Sequence, residues 1–171
     1  SYPVKTPSYI PQIAFYFLTG HKDAANKLTL FGKIAHHSNG QDGNFYTDDG
    51  KVNLQSGNFA TNYLELGFLQ SSYSQNLKAF KFIKSSFEIH PKSWMLEELQ
   101  GQYSGLRWHN TFLAYKLPMK TNTLPNEKQI ANFSIKAETT IMLDNFNNWN
   151  YFDAKRLNAS LIVYYHPKFL E

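Results

Sequence analysis

The chain predicts an all-β fold, specifically an antiparallel transmembrane β-barrel, and three observations carry that expectation. Aromatic residues make up 16% of the 171 residues, with 14 Phe and 11 Tyr, while charged residues reach only 18%. No run of about 18 apolar residues occurs, so a transmembrane helix is excluded. Segments of about ten residues with alternating hydrophobicity recur along the chain, and short turns between them alternate with long loops. A soluble all-β protein shares this composition, so that alternative stays open at this level.

The bulk numbers bound the rest. The length suits one domain spanning residues 1–171. There are no cysteines, which removes disulfides and thiolate metal sites. The net charge of +4 comes from lysines scattered singly, whereas nucleic-acid binding wants a clustered basic face, so no nucleic-acid partner is expected. The chain starts in an ordinary polar segment with no signal peptide, and the expectation is that any export signal has been removed or left out.

Seven strands are expected, near residues 9–19, 27–38, 59–71, 76–90, 105–117, 129–143 and 156–166. The breaks fall at 20–26, 39–58, 71–75, 91–104, 118–128 and 144–155, where turn residues cluster. In 27–38, Leu28, Leu30, Gly32, Ile34, His36 and Ser38 share one face, and Thr29, Phe31, Lys33, Ala35 and His37 the other. In 59–71, Ala60, Asn62, Leu64, Leu66 and Phe68 lie opposite Thr61, Tyr63, Glu65 and Gly67, which lets Lys33 and Glu65 pair on the polar side. Segment 76–90 alternates poorly and has no clean face. In 129–143, Ala131, Phe133, Ile135, Ala137, Thr139, Ile141 and Leu143 oppose Ile130, Asn132, Ser134, Lys136, Glu138 and Thr140. In 156–166, Leu157, Ala159, Leu161, Val163 and Tyr165 oppose Asn158, Ser160, Tyr164 and His166. A long apolar face opposite Lys and Glu fits lipid outside and a polar, charge-paired lumen inside. A soluble barrel has the same alternation with the faces swapped, and periodicity alone does not choose between them.

The motif His36-His37-Ser38-Asn39-Gly40 stands at the end of one such strand, beside the long loop. A histidine two residues before a serine puts both side chains on one face. Asn62 on the next strand reaches the imidazole, so a nucleophile, a base and an orienter assemble across one hairpin. All three fall on the apolar side. A polar trio at the rim of a lipid-facing band calls for an explanation, and access to a lipid ester supplies one. His37 faces the polar side and is not the base. His90, His109 and His166 have no partners at metal-ligand spacing and read as structural or rim residues, while Trp94, Trp108, Trp149 and the many tyrosines read as an interface girdle.

At these residues the sequence resembles the outer-membrane phospholipase A family, whose hallmark is His-x-Ser-Asn-Gly followed by an Asn on the next strand. The matching positions are His36, Ser38, Asn39, Gly40 and Asn62, and Tyr9-x-Pro11-Gln12 one strand upstream is similar too. The resemblance implies a barrel of about twelve strands in the bacterial outer membrane. The seven strands here would be its middle and later ones, with several missing before Tyr9 and two after Glu171. Open edges in hydrocarbon cost several kcal/mol per unsatisfied group, so the expectation is a partial segment of a larger protein, or strands supplied by another chain.

The resemblance further implies a phospholipase, a carboxylic ester hydrolase acting on glycerophospholipids. Ser38 would be the nucleophile, His36 the general base and acid, Asn62 the orienter, and the Gly40 N–H the oxyanion donor. It implies Ca²⁺, a hard cation that takes oxygen ligands, held by Gln41, Asp42 and Ser56. This loop is longer than the family pattern, and its acidic residue is displaced to Asp42. The run Asp48-Asp49-Gly50 also reads as a simple turn. Homodimerisation is implied as well, with Gln12 at the position of a polar contact residue, although a Gln on a membrane strand more often faces the lumen. The alternatives are a catalytically silent barrel of the same family acting as a structural subunit of an outer-membrane assembly, and a soluble β-barrel binding small apolar ligands.

Overall fold

A computed structural model describes residues 8–19, 26–120 and 129–167. Seven strands are present: β1 (Gln12–Thr19), β2 (Asn26–Ser38), β3 (Ala60–Ser74), β4 (Ala79–Ile89), β5 (Leu106–Lys120), β6 (Gln129–Met142) and β7 (Leu157–Pro167). Each pairs antiparallel with the next, giving one seven-stranded sheet in sequence order. The sheet is not closed into a barrel among the described residues; β1 and β7 are its edges. The long connections 39–59, 90–105 and 143–156 all lie at one end. The turn 75–78 lies at the other, and the connections 20–25 and 121–128 fall outside the described residues.

Three boundaries differ from expectation. The break expected at 71–75 falls later, because Ser71, Ser72, Tyr73 and Ser74 stay paired with Phe82, Lys81, Phe80 and Ala79. The edge-on contact of the Tyr73 and Phe80 rings, with centroids 5.1 Å apart, holds that end together, and the chain turns at Lys78, whose φ is 48°. Pro118 does not end its strand. A bulge between Ala114 and Leu117, with Lys116 at φ 54°, shifts the register before the proline, and Pro118 then pairs with Asn132; a bulge is where a strand tolerates a missing N–H. The first strand begins at Gln12, with Tyr9 joined to Ser38 only by an isolated bridge.

The faces run as the alternation implies. On one side Lys33 pairs with Glu65 at 2.5 Å, and Glu65 also takes Lys84 at 2.7 Å and the Ser86 hydroxyl at 2.7 Å. Glu65 is only 3% exposed. Next to it, Glu88 receives His90 at 2.8 Å, His109 at 3.2 Å and Arg107 at 3.3 Å. The opposite side carries Ile13, Phe15 and Phe17 of β1 and Leu161 and Val163 of β7, all more than half exposed. The sheet thus buries its charged face and exposes its apolar one, the reverse of an ordinary soluble core. Ser85, Asn110 and Trp108 interrupt the apolar face, but they satisfy one another. The Ser85 hydroxyl donates to Asn110 Oδ1 at 2.8 Å and accepts from Trp108 Nε1 at 2.9 Å. The segment without a clean face, β4, is explained by Phe80 and Phe82 preceding Lys84, Ser86 and Glu88 on one side. Among the described residues no helix is long and apolar enough to cross a membrane.

Candidate active site

The ladder between β2 and β3 places His36 directly opposite Asn62, Lys33 opposite Glu65 and Ser38 opposite Ala60. Across that first pair, His36 Nδ1 lies 2.8 Å from Asn62 Oδ1. The amide is oriented by its other end, where Nδ2 donates to the Trp94 carbonyl at 3.3 Å. With Oδ1 toward the ring, Nδ1 donates, and in the neutral imidazole that leaves the lone pair on Nε2, the tautomer of a base.

Ser38 follows on the same face, about 7 Å along the strand by Cα spacing. Among the described residues its hydroxyl has no hydrogen-bond partner, and catalytic hydrogen bonds are often long before substrate binds. Tyr9 holds this strand end on its other flank: its N–H donates to the Ser38 carbonyl at 2.8 Å, and the Ser38 N–H returns to Tyr9 at 3.0 Å. The His36 N–H donates to the Pro11 carbonyl at 3.0 Å. The upstream pattern Tyr9-x-Pro11-Gln12 therefore lies against the motif.

Asn39 ties the loop that follows. Its Nδ2 donates to the Gly57 carbonyl at 2.8 Å, and its Oδ1 accepts from the Phe59 N–H at 3.0 Å and the Gln41 N–H at 3.2 Å. The Asn39 N–H is also paired, with the Phe59 carbonyl at 3.1 Å. Between these tied neighbours the Gly40 N–H has no partner among the described residues. Gly40 sits at φ 67°, and a Cβ there would stand 2.8 Å from the Tyr9 ring. Both the backbone conformation and the space require glycine.

An open cleft of about 500 Å³ borders the site, walled by Pro11, Ile13, Ile34, His36, Asn62 and Trp94. Ser38 is not among its walls. Gln12 pairs with Ala35, which puts it on the side of Lys33. It borders both this cleft and a smaller one of about 220 Å³ shared with Lys33 and Glu65. Comparison with family models, curated proteins and solved structures returned no match. The site is therefore read from its own geometry.

The metal candidates lie in the loop 39–59. A bridge between Gly43 and Gly57 brings its two limbs together, with Gln41 and Asp42 on one and Ser56 on the other. The Ser56 carbonyl accepts from the Gly43 N–H at 3.0 Å, and its hydroxyl accepts from Asn53 Nδ2 at 3.1 Å. Asp42 is exposed. These donors are all oxygens, which suits a hard cation in kind, with one carboxylate among them. No group of three or more His, Cys, Asp or Glu able to hold a metal occurs among the described residues. Asp49 is engaged elsewhere: Lys51, and then Thr47, hold its carboxyl below the usual range. With the Gly50 N–H donating to the Thr47 carbonyl at 2.8 Å, the run 48–50 is a turn.

Sequence reasoning missed the part that four residues play. Trp94, read as a girdle residue, orients Asn62 through its main-chain carbonyl, and a backbone contact leaves no residue-type signal. His90 and His109, read as structural or rim residues, share Glu88; the Glu88–His90 spacing of two was a readable sign of one shared face. Arg156 is buried and donates to the carbonyls of Asn150, Trp149, Asp144 and Met142, organising the loop 143–156. That loop joins the crown where Asp144 accepts from the Ser104 hydroxyl at 2.6 Å and the Gly105 N–H at 2.7 Å. Nearby, burial pushes the Tyr103 phenol up.

Proposed function

We propose that this chain is part of an outer-membrane phospholipase that hydrolyses acyl esters of glycerophospholipids at the apolar face of a β-barrel. The observation that carries the reading is the 2.8 Å contact between His36 Nδ1 and Asn62 Oδ1 on the same face as Ser38. The exposed apolar face, opposite a charged face buried in ion pairs, supports a lipid-facing surface. The unpaired Gly40 N–H supports an oxyanion donor.

Ser38 Oγ attacks the ester carbonyl carbon while His36 Nε2 takes its proton. The tetrahedral oxyanion accepts from the Gly40 N–H, a kind of contact worth roughly 3–4 kcal/mol. The ester C–O bond breaks, and His36 returns the proton to the leaving alcohol, releasing a lysophospholipid. Water then cleaves the acyl-enzyme to a free fatty acid. Asn62 is neutral and stabilises the imidazolium less than a carboxylate does. Gln41, Asp42 and Ser56 would hold Ca²⁺, whose charge beside Gly40 would favour the oxyanion. A homodimer would meet through the apolar face, whereas Gln12, on the side of Lys33, would face the lumen.

The unbonded Ser38 hydroxyl favours one second reading, a silent barrel serving as a structural subunit of an outer-membrane assembly. Fatty-acid release from phospholipid micelles by the detergent-purified protein separates the two. Release that vanishes in a folded Ser38→Ala variant establishes the enzyme and its nucleophile. No release by the folded protein under any calcium concentration leaves the scaffold.

A further inference from the structure

We propose that His90 is a positioning residue for this site, acting through Thr61 from the opposite face of β3; the inference rests on the catalytic reading above. The β3–β4 ladder ends at the pair Leu64 and Ile89, so the first residues of β3 have no β4 partner. Asn62 lies in that stretch, paired to β2 on one side and to no strand on the other. Its support comes instead from the segment that follows β4. The Leu96 N–H donates to the Ala60 carbonyl at 3.2 Å, Met95 bridges to Thr61, and the Trp94 carbonyl takes the Asn62 amide at 3.3 Å.

His90 anchors the segment that makes those contacts. Its N–H donates to the Gly105 carbonyl at 2.8 Å, and its ring lies against Tyr63 and Tyr103 with centroids 5.0 and 5.1 Å away. Its Nε2–H donates to Glu88 Oε1 at 2.8 Å, and its Nδ1 meets the Thr61 hydroxyl at 2.9 Å. Thr61 is 1% exposed and His90 3%, so neither touches substrate. The Thr61 hydroxyl also lies 3.3 Å from the Asn62 carbonyl. A line of hydrogen bonds thus runs from Glu88 through His90 to the residue beside Asn62. It fixes the height at which Asn62 presents Oδ1 to His36, and a misplacement of about 1 Å in such a group can cost about a hundredfold in rate.

The test uses the detergent-purified full protein, with fatty-acid release measured over a range of phospholipid concentrations. The ¹⁵N shift of His36 Nδ1 is read as a second signal. Thr61→Val removes the hydroxyl and Thr61→Ser keeps it. His90→Asn keeps a polar group at the Nδ1 position, toward Thr61, whereas His90→Gln keeps only the reach to Glu88. Thr61→Val and His90→Gln are expected to lower kcat about tenfold with KM unchanged and to shift the His36 signal. Thr61→Ser is expected to retain wild-type kcat, and His90→Asn, which keeps the link to Thr61 but loses that to Glu88, to lose less than His90→Gln. Wild-type kcat and an unmoved His36 signal in Thr61→Val overturn the proposal, as does an equal loss in both His90 variants. Should Thr61→Val not fold, the His90 pair decides. Should the wild-type protein release no fatty acid, the catalytic reading fails by itself and the His36 signal alone decides the positioning.

Discussion

His36 and Asn62, 26 residues apart, meet at 2.8 Å because they are direct partners in the β2–β3 ladder. A one-residue slip of that ladder would send Asn62 to the charged side and Glu65 to the apolar one. The Lys33–Glu65 ion pair, on the same two strands, opposes such a slip. Asn62→Ala is expected to lower kcat by about one to two orders of magnitude, since it frees the imidazole ring to rotate. Fatty-acid release by the folded variant checks this, and an unchanged rate would remove Asn62 from the site.

Gly40→Ala meets two obstacles, the positive φ and the Tyr9 ring. In a Tyr9→Ala background only the ring is removed. The double variant is expected to remain less stable than Tyr9→Ala by about 1 kcal/mol, the cost of a Cβ in the left-handed region. Denaturant titration in detergent measures the difference, and equal midpoints would mean that the ring alone sets the requirement.

Glu65→Ala leaves Lys33 and Lys84 facing each other on a largely buried face. The expected loss is about 2–3 kcal/mol, toward the low end for a broken buried pair because Lys84 is partly exposed. Thermal or denaturant unfolding followed by tryptophan fluorescence reads it directly. A loss under about 0.5 kcal/mol would class the pair with solvent-screened ones.

Chelation is expected to stop fatty-acid release, and calcium to restore it. Asp42→Asn and Ser56→Ala are each expected to raise the calcium concentration needed for half-maximal rate. A rate indifferent to chelator would remove calcium, and with it the role of Gln41, Asp42 and Ser56.

Arg156→Met is expected to loosen one loop and leave the sheet intact, because the guanidinium serves four carbonyls in and beside 143–156. Hydrogen exchange should quicken in 143–156 while β3 and β4 stay protected. Exchange unchanged throughout would show that the loop is held by other contacts.

Period-two alternation is a local property, readable from residues i and i+2, and it determined much of this protein. It placed seven strands, put Lys33 opposite Glu65, and set His36, Ser38 and Asn62 on one face. The misplaced boundaries at Ser71 and Pro118 were decided by partners on other strands, Phe82 and Asn132, which no local window contains. Alternation also could not say which face is buried, because both answers have the same period; the ion pairs of Glu65 and Glu88 across the four neighbouring strands β2 to β5 decided that. Only the tertiary structure brought the Trp94 carbonyl to the Asn62 amide and His90 to Thr61. Those contacts depend on how the chain after β4 folds back onto the start of β3, which β4 itself leaves without a partner, a long-range docking made partly through the backbone, for which side-chain identity leaves no sequence mark.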